Sequence, residues 1–487
     1  MKTFLVLCSV SCVLSIAVAQ DWAGPFQLSN DTFADINPSA CPEWVAGINT
    51  YLVWQTNRNG NWDIYAKSCE MMEGNGWGAD ESVSTDSADE LNPAVAAGND
   101  GYADSASFWC VWERREMPLT GSIWASFNAF GAGWQDPVQV GPYIHTDGDS
   151  AKPRIIVIRN TAVDTAWIIW TCHDTDGWRI EYSYHAGDSW QGPWIAAAGP
   201  APIRHARLGR GHNGVSADRP LLVWETAGDI YYTDYIDGSW SAPQEVAHSD
   251  SLDRNPDVIS HGRIFRELGP WVTWESTRDG DTAVYGTAED TFSVGRRWCD
   301  STGAGNNYAP CGTPALYTVD YWDEMAAVAW VSDRNGNPDV CARTIFSGGD
   351  EYVDDDTAAD INPTLTTLGV TENWCVWQSN RTGNWDIWGS YIYSTGIQES
   401  RTPQTANFKP EQTVVRDVLF LGALGSRRNT GYRAELTDAA GRKVLDLRPG
   451  ANDVSTLAPG IYFVRSEPSA VSGKRTAVFV RKVVIQR

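Results

Sequence analysis

The sequence predicts an all-β chain in two parts, a ring of small antiparallel sheets followed by a short β-sandwich. The first observation is a tryptophan-centred phrase that recurs seven times. Twice it is nearly the same sentence, Trp54-Gln-Thr-Asn-Arg-Asn-Gly-Asn-Trp-Asp63 and Trp377-Gln-Ser-Asn-Arg-Thr-Gly-Asn-Trp-Asp386. Its anchors, Trp54, Trp112, Trp170, Trp224, Trp274, Trp330 and Trp377, stand 58, 58, 54, 50, 56 and 47 residues apart. A period of that size belongs to radial arrays in which each repeat is one small sheet that cannot bury its faces alone. The second observation is a change of character near residue 400, since all 25 tryptophans lie between Trp22 and Trp388.

The elements follow in chain order. Met1-Lys2, the apolar run from Phe4 and the small residues Ala17-Val18-Ala19 read as a secretory signal peptide over 1–19. No later stretch reaches the roughly 18 apolar residues of a membrane span, so no transmembrane segment is expected. Within each unit, Asp35-Ile-Asn-Pro38, Glu90-Leu-Asn-Pro93, Asp253-Arg-Asn-Pro256 or Asp360-Ile-Asn-Pro363 opens a first strand, where proline costs no ladder bond. An apolar run into the anchor Trp reads as a second strand covered on both faces. Gly60, Gly280, Gly336 and Gly383, each six residues past an anchor, mark a turn into a third strand. A Trp-x-x-Pro phrase such as Trp240-Ser-Ala-Pro243 supplies the fourth.

The seventh unit ends near Ile397 without that fourth strand, while Trp22-Ala-Gly-Pro25 stands at the start with no unit before it. The N-terminal strand is therefore expected to complete the last sheet, giving a closed seven-bladed β-propeller over 20–400 with few open edges. The Trp-x-Ser-x-Arg-x-Gly-Asn-x-Asp-Ile phrase, with Ser332-Asp-Arg-Asn-Gly-Asn-x-Asp339 the other close copy, resembles the TolB-type, WD40-like (PD40-like) propeller repeat. The resemblance covers about 21–397 and implies the fold. It departs from that family in its longer units, its many tryptophans, and the loss of the Arg-x-Gly turn in units three and four.

Residues 408–487 alternate in strand fashion between turns, as in Tyr432-Arg-Ala-Glu-Leu-Thr-Asp438 and Leu457-Ala-Pro-Gly-Ile-Tyr462, and read as a small immunoglobulin-like β-sandwich. The Leu-Ala-Pro-Gly-Ile-Tyr stretch and the basic final strand resemble the C-terminal sorting domain of type IX secretion cargo. That resemblance implies the type IX secretion machinery as a partner, and a secreted or outer-surface location on a Gram-negative-type bacterium. The tail carries 14 basic and 7 acidic residues, whereas 20–407 carries 22 basic and 54 acidic, a net charge of −32. A body so acidic offers no basic track for a phosphate backbone, which excludes nucleic acid as a partner.

Eight cysteines remain after the signal peptide. In an exported chain they read as disulfides, with Cys299–Cys311 the best local pair and Cys41–Cys69 a second candidate.

Strand order places the first-strand acids and the Arg-x-Gly turns on one face of the disc. Asp35, Glu90, Asp253 and Asp360 are thus expected around the channel mouth as a cation or polar-ligand site, with Arg58, Arg278, Arg334 and Arg381 farther out. The competing reading has each acid capping its neighbour's turn or pairing with a repeat arginine. Asp333, Asn335, Asn337 and Asp339 have the oxygen rhythm of a calcium loop without its closing Glu, so calcium competes there with a hydrogen-bonded turn. No other cofactor is expected. Trp44, Trp124, Trp178, Trp194 and Trp322 lie off the repeat and are the candidates for stacking on a sugar. No catalytic motif is present, and the expectation is a non-catalytic module with a protein or glycan ligand on a propeller face. A lectin-like propeller and a sialidase-like glycoside hydrolase are the alternatives.

Overall fold

In the computed structural model, residues 22–393 are described except for loop segments at 43–48, 71–75, 99–106, 160–163, 213–217, 261–269, 289–291, 301–304, 317–323, 345–349 and 369–371 and shorter breaks. Strands and turns are described within 413–485. The expected signal peptide, 1–19, lies outside the described residues. Compact packing divides the chain into Met1–Gln398 and Glu399–Arg487. No helix among the described residues is long and apolar enough to cross a membrane.

The first unit is all-β and β-propeller-like. Its described strands form seven antiparallel sheets of four or five strands, each built mainly from consecutive strands. Inner strands start at Asp35, Asp89, Arg154, Ile203, Asp253, Asn307 and Asp360. They neighbour one another in that order, and the seventh lies beside the first. Each anchor Trp sits in the second strand of its sheet at 0–3% exposure. There the aromatic face fills the space between successive sheets, burying the largest apolar area per residue available.

The last sheet is completed from the other end of the unit. Ala23–Gln27 pairs antiparallel with Asp386–Tyr393, with Phe26 opposite Gly389 and Gln27 opposite Trp388. This is the pairing expected from the missing fourth strand, and it covers an edge that would otherwise expose unpaired amides.

The hairpin turns follow the sequence reading. Gly60, Gly280, Gly336 and Gly383 have φ of 101°, 92°, 98° and 99°, a region open to glycine but costly for a residue with a Cβ. In three of these turns an asparagine reaches forward to the next sheet. Asn61 Nδ2 donates to the carbonyls of Asp86 and Ala88, and Asn337 Nδ2 to those of Asp356 and Ala358. Asn384 Nδ2 does the same to Asp31 and Phe33, joining the seventh sheet to the first.

The second unit has a five-stranded sheet containing Arg433–Asp438, Gly460–Glu467 and Phe479–Ile485, and a two-stranded sheet of Val418–Leu421 with Gly450–Asp453. Leu436, Leu447, Val454, Tyr462 and Ile485 form its core.

The proposed disulfides are corrected. Cys41 follows the first strand of its sheet and Cys69 lies in the third, opposite Thr50, with the second strand between them. Two inter-strand spacings amount to about 10 Å, beyond the reach of a disulfide. Cys299 lies by the outer strand of the fifth sheet, its Sγ accepting from the Val284 N–H at 3.4 Å. Cys311 lies instead on the inner strand of the sixth, opposite Ala329, and both are free thiols.

Candidate functional site

The channel mouth is built by a backbone irregularity that repeats in every sheet. Two residues into each Asp-x-Asn-Pro opening, the inner strand slips register against its partner, as between Ile36 and Ser39 or between Arg254 and Asp257. The residue at the slip takes left-handed φ: Asn37 (53°), Asn92 (54°), Lys152 (46°), His205 (48°), Asn255 (51°), Ala309 (52°) and Asn362 (54°). Asparagine tolerates this region best among residues with a side chain, which accounts for four of the seven.

The residue after an anchor Trp holds the next sheet's slip in place. Gln55 Oε1 accepts from the Asn92 N–H at 2.9 Å, Glu225 Oε2 from Asn255 at 3.0 Å and Glu275 Oε1 from Ala309 at 2.8 Å. Across the seam, Gln378 Oε1 accepts from the Asn37 N–H at 2.8 Å. The asparagine side chains then link sideways, Asn362 Nδ2 to Asn37 Oδ1 at 3.2 Å and Asn37 Nδ2 to Asn92 Oδ1 at 3.4 Å. Neutral amides therefore rim one side of the mouth.

This corrects the expected carboxylate ring. Asp35, Glu90, Asp253 and Asp360 are 0, 2, 1 and 0% exposed, out of a ligand's reach. Each sits beneath the rim and is bonded inside the repeat. Asp253 meets Arg278 at 2.8 Å, Asp360 meets Arg381 at 3.0 Å and Asp35 meets Arg58 at 3.4 Å. Glu90 instead accepts from Ser84 Oγ at 2.7 Å and Trp112 Nε1 at 3.0 Å. Burial pushes its carboxyl up to about 7. Arg334 pairs with Asp350 at 2.9 Å, because the sixth sheet carries Asn307 where the first, second, fifth and seventh carry an acid. The competing reading, acids paired with repeat arginines, describes three of the four.

The calcium-like stretch is a closed turn. Asn335 and Asn337 donate their amides to the two oxygens of Asp339 at 3.3 and 2.6 Å, while Asp333 accepts from the Asn306 N–H at 2.6 Å and from its amide at 3.0 Å. Its carboxylates are thus occupied by N–H donors. Among the described residues, no three His, Cys, Asp or Glu side chains gather as a metal would require.

The off-repeat tryptophans separate. Trp44 and Trp322 lie outside the described residues. Trp124 is half-buried, with Nε1 donating to Ser122 Oγ and the Arg114 guanidinium over its ring. Trp178 is buried and stacks on His173 at 4.3 Å. Trp194 is 43% exposed and stacks on Tyr184 at 5.4 Å. Beside that stack, Trp167, Tyr184 and Tyr235 help line a cavity of about 290 Å³ between the third and fourth sheets.

The rim loses its asparagine at the third, fourth and sixth sheets, where Lys152, His205 and Ala309 stand. Arg204 lies beside His205. Asp149 bridges Lys152 Nζ at 3.4 Å and Arg204 at 3.1 Å, while the Arg204 guanidinium lies over Trp178 at 5.6 Å. His205 Nδ1 lies 2.8 Å from Glu225 Oε2. Burial raises the Glu225 carboxyl, but His205 and the Asn255 N–H outweigh it and leave the group below its usual value. Arg204, Lys152 and His205 keep 45, 40 and 34% of their side-chain surface open, in contrast to the buried acids. The sequence marked units three and four by their missing Arg-x-Gly turn, but the candidate residues were other side chains. The signal was present in Lys152-Pro153 and Ala309-Pro310, which occupy the Asn-Pro position without asparagine.

No protein-family model and no curated protein matches the chain. Among solved structures, it is similar to an α-L-arabinofuranosidase, Arb93A, from Fusarium graminearum (10% identity, TM-score 0.41, covering 77% of this chain and 96% of that one). A six-bladed β-propeller lectin from the fungus Aleuria aurantia gives 11% identity and TM-score 0.42 over 67% and 96%. A putative TolB from Agrobacterium tumefaciens gives 13% identity and TM-score 0.31 over 77% and 98%. These neighbours have different activities and loose fits, so they set no ligand or reaction for this chain.

Proposed function

We propose that the chain is a secreted or cell-surface seven-bladed β-propeller that acts as a non-catalytic binding module, taking a protein or glycan ligand at the channel mouth. In this reading each of the seven sheets is one blade. The tail is an immunoglobulin-like sorting domain that engages type IX secretion machinery, leaving the propeller outside a Gram-negative-type cell. The observation that supports the binding site is the break in the mouth rim, where Lys152, Arg204 and His205 stand open among otherwise self-satisfied amides. Strained left-handed backbone at Lys152 and His205, where asparagine would fit better, accords with selection for something other than stability.

A lectin-like reading is favoured by a different observation, the exposed Trp194 on its tyrosine stack. A glycoside hydrolase is the third reading, and turnover on a broad fluorogenic glycoside panel would establish it. Binding is tested by probing glycan and peptide arrays with the full mature chain, where retention on neither sinks the proposal. Export is tested by deleting 408–487, which should trap the protein in the periplasm. Unchanged release would remove the tail from the account.

A further inference from the structure

Past the rim, the inner strands align a second level of residues. The residue two past each left-handed position lies opposite the residue just before the anchor Trp, as Arg154 opposite Ile169, Arg207 opposite Val223 and Asp257 opposite Thr273. Four sheets fill this level with small neutral side chains, Ser39, Ala94, Cys311 and Thr364. The third, fourth and fifth fill it with two arginines and an aspartate. Three adjacent inner strands thus place all the charge on one side of the wall.

The charges do not cancel. Arg207 Nε lies 3.4 Å from Asp257 Oδ1, and Asp257 also accepts the Gly312 N–H at 2.9 Å. Arg154 has no carboxylate partner among the described residues, and its guanidinium donates to the neighbouring Pro153 carbonyl at 2.8 Å. Among the described residues two cations thus face one anion at this level. Arg207 and Asp257 retain 19 and 18% of their side-chain surface, as expected on a channel wall. Burial, then repulsion from Arg207, pushes the Arg154 guanidinium down to about 9, with Asp257 opposing them. An unpaired desolvated cation is costly unless something completes it.

We propose that Arg154 and Arg207 form a carboxylate-binding subsite in the channel, the acidic group arriving on a ligand that enters through the mouth. A monoanion neutralises the surplus charge, whereas a dianion overshoots it. The planar guanidinium matches a carboxylate in bidentate geometry. The inference rests on the mouth as the entrance, although a small free acid reaches the level without engaging the rim.

The test is the melting temperature of the full mature chain in acetate, glucuronate, N-acetylglycine or sulfate, each against chloride at equal ionic strength. A carboxylate-specific rise is expected, with affinity falling roughly tenfold in Arg154→Met, the loss of one charge-assisted contact. That variant should melt no lower than wild type in chloride, because it removes a half-buried cation repelled by Arg207. A stronger response to glucuronate than to acetate assigns an acidic sugar, and a stronger one to N-acetylglycine assigns a peptide terminus. Stabilisation by sulfate alone, or a carboxylate response that survives Arg154→Met, overturns the subsite. A response to acetate with no ligand on any array would retain the subsite and remove the mouth reading.

Discussion

Asn384 and Phe33 are 351 residues apart in the chain, yet the Asn384 side-chain amide donates to the Phe33 carbonyl at 2.6 Å. The same bond, in the same place, joins Asn337 to Ala358 between the sixth and seventh sheets at 2.7 Å. The junction between the ends of the ring is therefore made with the same bonds as an internal one.

Asn384→Ala and Asn337→Ala should accordingly cost similar amounts, about 1–2 kcal/mol each, because each leaves two carbonyls without a donor. Urea unfolding of the two variants checks this. A neutral Asn384→Ala beside a costly Asn337→Ala would mean that the ring is open at its ends.

Arg381→Met should cost more, about 3 kcal/mol, since it strands the carboxylates of Asp354 and Asp360, which are 8 and 0% exposed, without their cation. Stability of this variant measured beside Arg204→Met, whose guanidinium is open to solvent, tests the contrast. Equal losses would contradict the division into structural and rim arginines.

Glu90 sets a pH dependence. Its folded value, about 7, lies above its ordinary 4.5, so the folded state holds the proton more tightly. Its contribution is fully present below about 4.5 and is lost as pH rises through about 7, a fall of about 3 kcal/mol. Glu90→Gln should flatten that part of the stability curve, leaving the variant more stable than wild type at pH values above 7. Unfolding series across this range measure it, and parallel curves would count against a protonated Glu90.

The cysteines can be read chemically. Peptide mapping without reductant should recover Cys299 and Cys311 as thiols with no link between them, and a Cys299–Cys311 crosslink would displace the strand assignment of one of the two.

The scaffold was legible because its signals are local. Gly60 and Gly383 mark turns that need positive φ, the anchor tryptophans mark strands covered on both faces, and the missing fourth strand after Ile397 pointed to the segment at Trp22. The site was less legible because it depends on a register slip. Asp35-Ile-Asn-Pro38 read as a regular strand puts the acid forward, but the slip at Asn37 turns the amide to the mouth and leaves Asp35 with Arg58 at the seam. Arg154, Arg207 and Asp257 were missed since neither a repeat nor a motif contains them, and only the alignment of neighbouring inner strands brings them to one level. The disulfide reading failed for a similar reason: an even cysteine count says nothing about the strand lying between Cys41 and Cys69.

The central claim, that binding belongs to the broken part of the rim, is tested most directly by comparing Arg204→Ala/His205→Ala with Trp194→Ala in the full mature chain against any array ligand that wild type retains. The rim variant should lose at least roughly tenfold in affinity, as expected for removal of contacts to charged groups, while Trp194→Ala binds like wild type. Loss of binding in Trp194→Ala with the rim variant unaffected would contradict the account and move the site to the aromatic stack of the third sheet.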